Sequence, residues 1–142
     1  MNTKLEQIAK KVREAVEQYA PSIVDNVECG DTTDLSCFCA IASHALMTAY
    51  RKNGIHASMI IGNYCSNTHC WVAVDEFFID ITITQFDDEK PKVYIVDSYR
   101  AKRIEGFEPE DCFRSLKQME VWESQAPTSK YTNDILKLAG MK

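Results

Sequence analysis

The chain is expected to fold as one α+β domain spanning residues 1–142, with a helix packed on an antiparallel β-sheet. Three observations predict it. Two segments near the start carry apolar residues at helical spacing, three short runs after Gly54 alternate in the manner of strands, and helical spacing returns toward the C-terminus. No internal repeat or low-complexity linker divides the chain. A length of 142 residues is enough to bury a core without metal or disulfide staples.

The first helix is read over residues 5–19, where Leu5, Ile8, Val12, Ala15, Val16 and Tyr19 form one stripe. Thr3 and Glu6 fit a capping box at its start, and Pro21 is expected to end it. The polar stretch 22–34 lacks periodicity and reads as a loop able to border a cleft. From Phe38, the residues Ile41, Ala42, Ala45, Leu46, Ala49 and Tyr50 give a second helix, with Gly54 placed as a left-handed C-terminal cap. Its many alanines suit close packing on a sheet.

Strands are then expected over 55–64, 69–74 and 77–82, with Asp75-Glu76 as a two-residue turn and a fourth strand over 93–96. Residues 98–107 read as loop. Pro109 followed by Cys112, Phe113, Leu116, Met119 and Trp122 suggests a further helix, and Tyr131, Ile135 and Leu138 a last one over 130–138.

Composition excludes several classes of function. A formal net charge of -5 and a pI near 5.2, with no basic block, argue against a nucleic-acid partner. No run approaches the roughly 18 apolar residues of a membrane span, and the charged positions within the first helix do not read as a secretory signal. The expected location is the cytoplasm, where the six cysteines would be free thiols rather than a disulfide framework. No cofactor is expected. Cys29, Cys37, Cys39, Cys65, His69 and Cys70 raise a zinc-binding module as an alternative, but Cys37-x-Cys39 and adjacent His69-Cys70 lack the paired knuckle spacing of such sites.

The chemistry concentrates between Leu35 and Phe86. Cys39 falls in the first turn of the second helix, His69 opens the second strand and Asp80 lies on the third. A thiol is a poor nucleophile until it ionises, and a helix N-terminus or a nearby cation favours the thiolate. Ser36 or the Asp31–Asp34 cluster could cap that helix, whose free N–H groups could also donate to an oxyanion. If the hairpin turns at Asp75-Glu76, paired positions sum to 151, so 71 faces 80 and 69 faces 82. His69 and Asp80 then become diagonal neighbours on one face, about 7–8 Å apart at Cα, within reach of a side-chain hydrogen bond. Taken singly, each residue also has a plain structural use: a small buried thiol, a packed histidine, a turn cap.

Cys39, Arg51-Lys52-Asn53-Gly54-Ile55, Ile61-Gly62, His69-Cys70-Trp71-Val72 and Ile79-Asp80-Ile81-Thr82, in that order, resemble the core of the transglutaminase-like superfamily of papain-fold thiol enzymes. The resemblance implies a papain-like, transglutaminase-like core with Cys39 as nucleophile, His69 as base and Asp80 as the residue orienting it. It further implies a thiol hydrolase or acyltransferase acting on amide or peptide acyl groups through a thioester, with a peptide or protein, or a small amide, as substrate. Phe38 stands where many relatives carry a small residue, and Ile81 where many carry Pro. Cys37 is a rival nucleophile. The same superfamily includes members without catalysis, so a silent binding or regulatory protein stays an alternative, as does a peptidase that trims a precursor.

Overall fold

A computed structural model of the chain describes residues 3–26, 35, 38–113 and 129–141. It is an α+β arrangement in which α1 (Thr3–Ile23), α2 (Cys39–Lys52), α3 (Ser98–Arg103) and α4 (Ser129–Leu138) surround a five-stranded sheet. The strands are β1 (Ser58–Tyr64), β2 (Asn67–Val74), β3 (Phe77–Asp80), β4 (Tyr94–Asp97) and β5 (Phe107–Phe113). Their order across the sheet is β4-β3-β2-β1-β5, and every neighbouring pair is antiparallel.

Alternation along the strands divides the core into two layers. Met59, Cys70, Val72, Val74, Ile79 and Ile81 face the layer formed with α1, α2 and α4. Ile60, Trp71, Phe78, Val96 and Phe107 face the other layer, closed in part by Ala101 of α3. Burying each large side chain contributes about 1.5–3 kcal/mol. The helical layer therefore holds α2 against β2, while the aromatic layer fixes the opposite surface of the same strand.

Several sequence expectations are met for the expected reasons. Gly54, at φ +75°, ends α2: its N–H donates to Arg51 O at 3.1 Å while Ile55 N–H reaches Tyr50 O at 2.9 Å, the paired bonds of a Schellman cap. The β2–β3 hairpin turns at Asp75-Glu76, and its register, Val72↔Ile79 to Val74↔Phe77, sums to 151 as expected.

Other expectations are corrected. Pro21 lies inside α1 rather than after it, in the last turn, where only one upstream carbonyl loses its donor. Thr3 is already helical, so it is not the cap. β2 begins at Asn67, because Cys65 and Ser66 alone make the turn, both with positive φ (48° and 70°) as a tight hairpin demands. β1 and β3 are shorter than expected, starting at Ser58 and ending at Asp80. Residues 98–103, read as loop, form α3, with the Asp97 side chain accepting from Arg100 N–H at 3.0 Å.

The helix expected from Pro109 is instead β5, an edge strand pairing with β1; residues 114–122 of that expectation lie outside the described residues. An edge tolerates proline because one side of the strand needs no donor. The register shifts between Ile61 and Gly62, where Gly62 faces Pro109. A Cβ on Gly62 would come within 2.1 Å of Glu108 O, so the bulge depends on glycine.

Candidate active site

α2 is aimed by its first residues. Leu35 and Phe38 are fully buried, and Phe38 N–H donates to Leu35 O at 3.1 Å, with Leu35 in the left-handed region at φ 62°. Such a conformation costs of order 1–3 kcal/mol for a non-glycine residue, and the burial of both side chains offsets it. Phe38 is the N-cap and supplies no side-chain hydrogen bond. The capping expected from Ser36 or Asp31–Asp34 falls outside the described residues, as does Cys37. Cys39 is the first residue of α2 and is half-buried against the helical layer.

His69 is fully buried, and its Nε2 lies 2.6 Å from Asp80 Oδ2. Asp80 uses its second oxygen as well, with Oδ1 accepting Thr82 N–H at 2.9 Å. The carboxylate is thus fixed from two directions. Phe86 stands edge-on to the imidazole at a centroid distance of 4.9 Å, while Tyr64 and Trp71 lie at 6.2 and 5.9 Å. This aromatic surround keeps water from the ion pair, which strengthens it.

Burial opposes a charged imidazole, but the charge and hydrogen bond of Asp80, then the neighbouring Cys39, outweigh it and raise His69 to about 10. Cys39 moves the other way. A hydrogen bond from the Cys70 thiol is the largest cause, burial opposes it, and the hydrogen bond and charge of His69 and the Cys70 backbone N–H add to hold Cys39 well below its ordinary range. The second thiol, Cys70, is pushed well above its range by the same contact and by burial. Lowering Cys39 and raising His69 both favour the charged forms of that pair, while Cys70 is pushed toward its neutral form. His69 Nδ1 is buried without a hydrogen-bond partner among the described residues, and catalytic hydrogen bonds often form only when a substrate tightens the site.

The structure brings His69 and Asp80 into contact, and Cys39 lies near enough to His69 and Cys70, which point to opposite faces of β2, for both to act on its thiol. The reason lies in the sheet: β2 and β3 are paired only from Val72↔Ile79 to Val74↔Phe77. Beyond that point no further β2–β3 pairs form.

Two further contributors, Phe86 and Arg13, were not legible as site residues, and Cys70 was legible only as a zinc-ligand alternative. Cys70, Phe86 and Arg13 lie at separate places in the sequence; Arg13 is buried and donates from Nη1 to Ile81 O at 2.7 Å and to Thr84 Oγ1 at 3.0 Å. Those bonds hold the segment that follows Asp80. A buried arginine within an otherwise apolar helical stripe was the available signal. A cleft of about 750 Å³, lined by Arg13, Thr84, Gln85, Phe86, Asp87 and Lys90 among others, shares the Phe86 wall with His69. Among the described residues no group of three or more His, Cys, Asp or Glu is placed to hold a metal ion, and no helix is long and apolar enough to cross a membrane. No protein-family profile, curated protein or solved structure matches the chain.

Proposed function

We propose that this chain is a thiol hydrolase or acyltransferase built on a papain-like, transglutaminase-type plan, acting on an amide or peptide acyl group through a thioester on Cys39. The observation that carries the reading is the buried His69–Asp80 contact at 2.6 Å, with Cys39 at the start of α2 pushed toward its ionised form. The Cys39 sulfur attacks the carbonyl carbon. The oxyanion that forms meets first-turn N–H groups of α2, donors of a kind commonly worth roughly 3 kcal/mol each. His69 then gives its proton to the departing amine, leaving the acyl group on sulfur and a neutral imidazole. Neutral His69 next takes a proton from water or from an acceptor amine, whose attack releases Cys39. Asp80 holds the ring in one orientation through both steps. The substrate is a peptide or protein, or a small amide, and the cleft that shares the Phe86 wall with His69 is a place for its side chain.

The test is intact mass after exposure to electrophilic amide and peptide probes, comparing wild type with Cys39→Ala and His69→Ala. One acyl adduct on wild type, none on Cys39→Ala and slow labelling of His69→Ala are expected. Equal labelling of all three overturns the reading. Adding a primary amine to the acylated protein then separates transfer from hydrolysis by the mass of the released product.

A further inference from the structure

Arg13 is 3% exposed and buried among the apolar residues of α1. A guanidinium taken out of water carries a large desolvation cost unless its donors are met. Half-buried Glu17, one turn further along, faces its Nε at 3.5 Å. The shorter bonds are those of Nη1, 2.7 Å to Ile81 O and 3.0 Å to Thr84 Oγ1, across 68 and 71 positions of sequence.

Ile81 C=O and Thr82 N–H are the two ends of one peptide group, and its N–H end donates to Asp80 Oδ1 at 2.9 Å. Asp80 Oδ2 in turn lies 2.6 Å from His69 Nε2. The β2–β3 register ends at Val72↔Ile79 and the β3–β4 register at Asp80↔Tyr94, so neither ladder holds this peptide group. A peptide dipole is negative at its oxygen and positive at its N–H. Here a cation meets the first end and a carboxylate the second. The group is planar and turns as one body, so fixing its oxygen fixes the direction of its N–H, and with it the rotation of the Asp80 carboxylate. Ile81, Asp80 and His69 are at most 2% exposed, which keeps water from competing for these bonds.

We infer, resting on the acyl-transfer reading of His69 and Asp80, that Arg13 is a positioning residue for that pair, acting from α1 through the Ile81–Thr82 peptide group to hold the Asp80 carboxylate where Oδ2 meets the imidazole. Two rival roles must be separated from it. Arg13 also lines the cleft that shares the Phe86 wall, where it could grip substrate, and its bonds could serve only to tie α1 to the segment after β3.

The experiment uses the full chain with Arg13→Met and Arg13→Leu, two apolar variants in case one packs poorly, and with Arg13→Lys, which keeps a cationic donor. Acylation of Cys39 by a small amide probe is followed against probe concentration and scaled to the folded fraction. The apolar variants are expected to lower the maximal rate about 10- to 100-fold, the scale on which a small misplacement of catalytic groups acts, with the half-saturating concentration within about twofold of wild type. Arg13→Lys should recover part of the rate. In an Asp80→Asn background the same apolar change should cost less than about twofold, because residues that act through one contact do not add. An equal loss in both backgrounds marks a tie that only steadies the fold, and a rise in half-saturation at unchanged maximal rate marks a substrate grip; either overturns the inference.

A second measurement needs no chemistry at Cys39. In a Cys39→Ala background, which removes the thiol that also acts on the ring's charge, His69 is titrated by NMR with His44 and His56 as references in the same spectra. Arg13→Met should lower the His69 midpoint by about 1 unit, part of what a neighbouring carboxylate typically supplies, and Arg13→Lys should lower it less. Loss of a nearby positive charge without loss of orientation would raise the midpoint, so an unchanged or raised value overturns the inference. A lowered midpoint in a protein that no amide probe labels removes acyl transfer and leaves Arg13 as the group that positions Asp80. Wild-type labelling rates in Arg13→Met remove the Arg13 role alone.

Discussion

β2 is bordered by two unlike ladders. On the β1 side the register runs unbroken from Ser58↔Ala73 to Tyr64↔Asn67, and on the β3 side it stops at Val72↔Ile79. A continuous ladder satisfies backbone groups with backbone groups and leaves side chains free to pack, as Ile60, Trp71 and Phe107 do. Where the ladder stops, side chains and a helix terminus take over. Asp80 accepts from both the His69 ring and Thr82 N–H. The contrast teaches that the polar site exists because the sheet opens there, and that the closed side keeps the opening in register.

Substitutions on the open side should strike chemistry hardest. Cys39→Ala should lower acylation by amide probes at least about 10⁴-fold, the scale on which removal of a nucleophile acts; comparable rates in variant and wild type would break the contrast outright. Asp80→Asn should slow acylation about 10²- to 10⁴-fold through loss of the imidazole's orientation. It should also destabilise the fold by about 3–5 kcal/mol by stripping a buried cation of its partner. Urea denaturation read beside the labelling rate checks both effects together.

Beyond the closed side, where β1 pairs with β5, the expected damage is structural. Gly62→Ala pushes a methyl against Glu108 O and the Pro109 backbone, and should cost about 1–3 kcal/mol as overpacking does. Its labelling rate per folded molecule should stay near that of wild type; a fall as steep as that of Asp80→Asn would mean that the two ladders are not separable.

The smallest expected effect is pH-dependent. In a Cys39→Ala background the Asp80 contact still raises His69, so its stabilisation is fully present below about 6.5 and drains away as pH rises through the raised value. The loss should not exceed about 1.4 kcal/mol per pH unit for one group. Urea midpoints from pH 6 to 10 should fall in this variant and stay flatter once His69→Gln is added. Wild type carries the opposite contribution from Cys39, whose lowered value favours the fold above about 9 and fades on acidification.

Much of this architecture follows from local pattern. The stripes of α1 and α2, the Gly54 cap and the turn at Asp75-Glu76 are all readable, because each depends on residues a few positions apart. The parity that places His69 and Asp80 on one face follows from that turn alone. β5 was read as helix because Pro109, Cys112 and Phe113 match a helical start as well as they match an edge strand. What decides between them is Gly62, forty-seven positions before Pro109, which lets the strand come close.

The amino-acid order by itself determined which side chains could carry the chemistry and which faces they would share within one hairpin, since side-chain alternation and turn geometry are local. Tertiary structure alone decided that the β2–β3 ladder stops at Val72↔Ile79 and that Cys39, at the start of α2, packs on the same core layer as Cys70. Those facts depend on how two core layers, formed by segments distant in the chain, fill the space on either side of one strand, and packing of that kind leaves no short-range trace in a sequence.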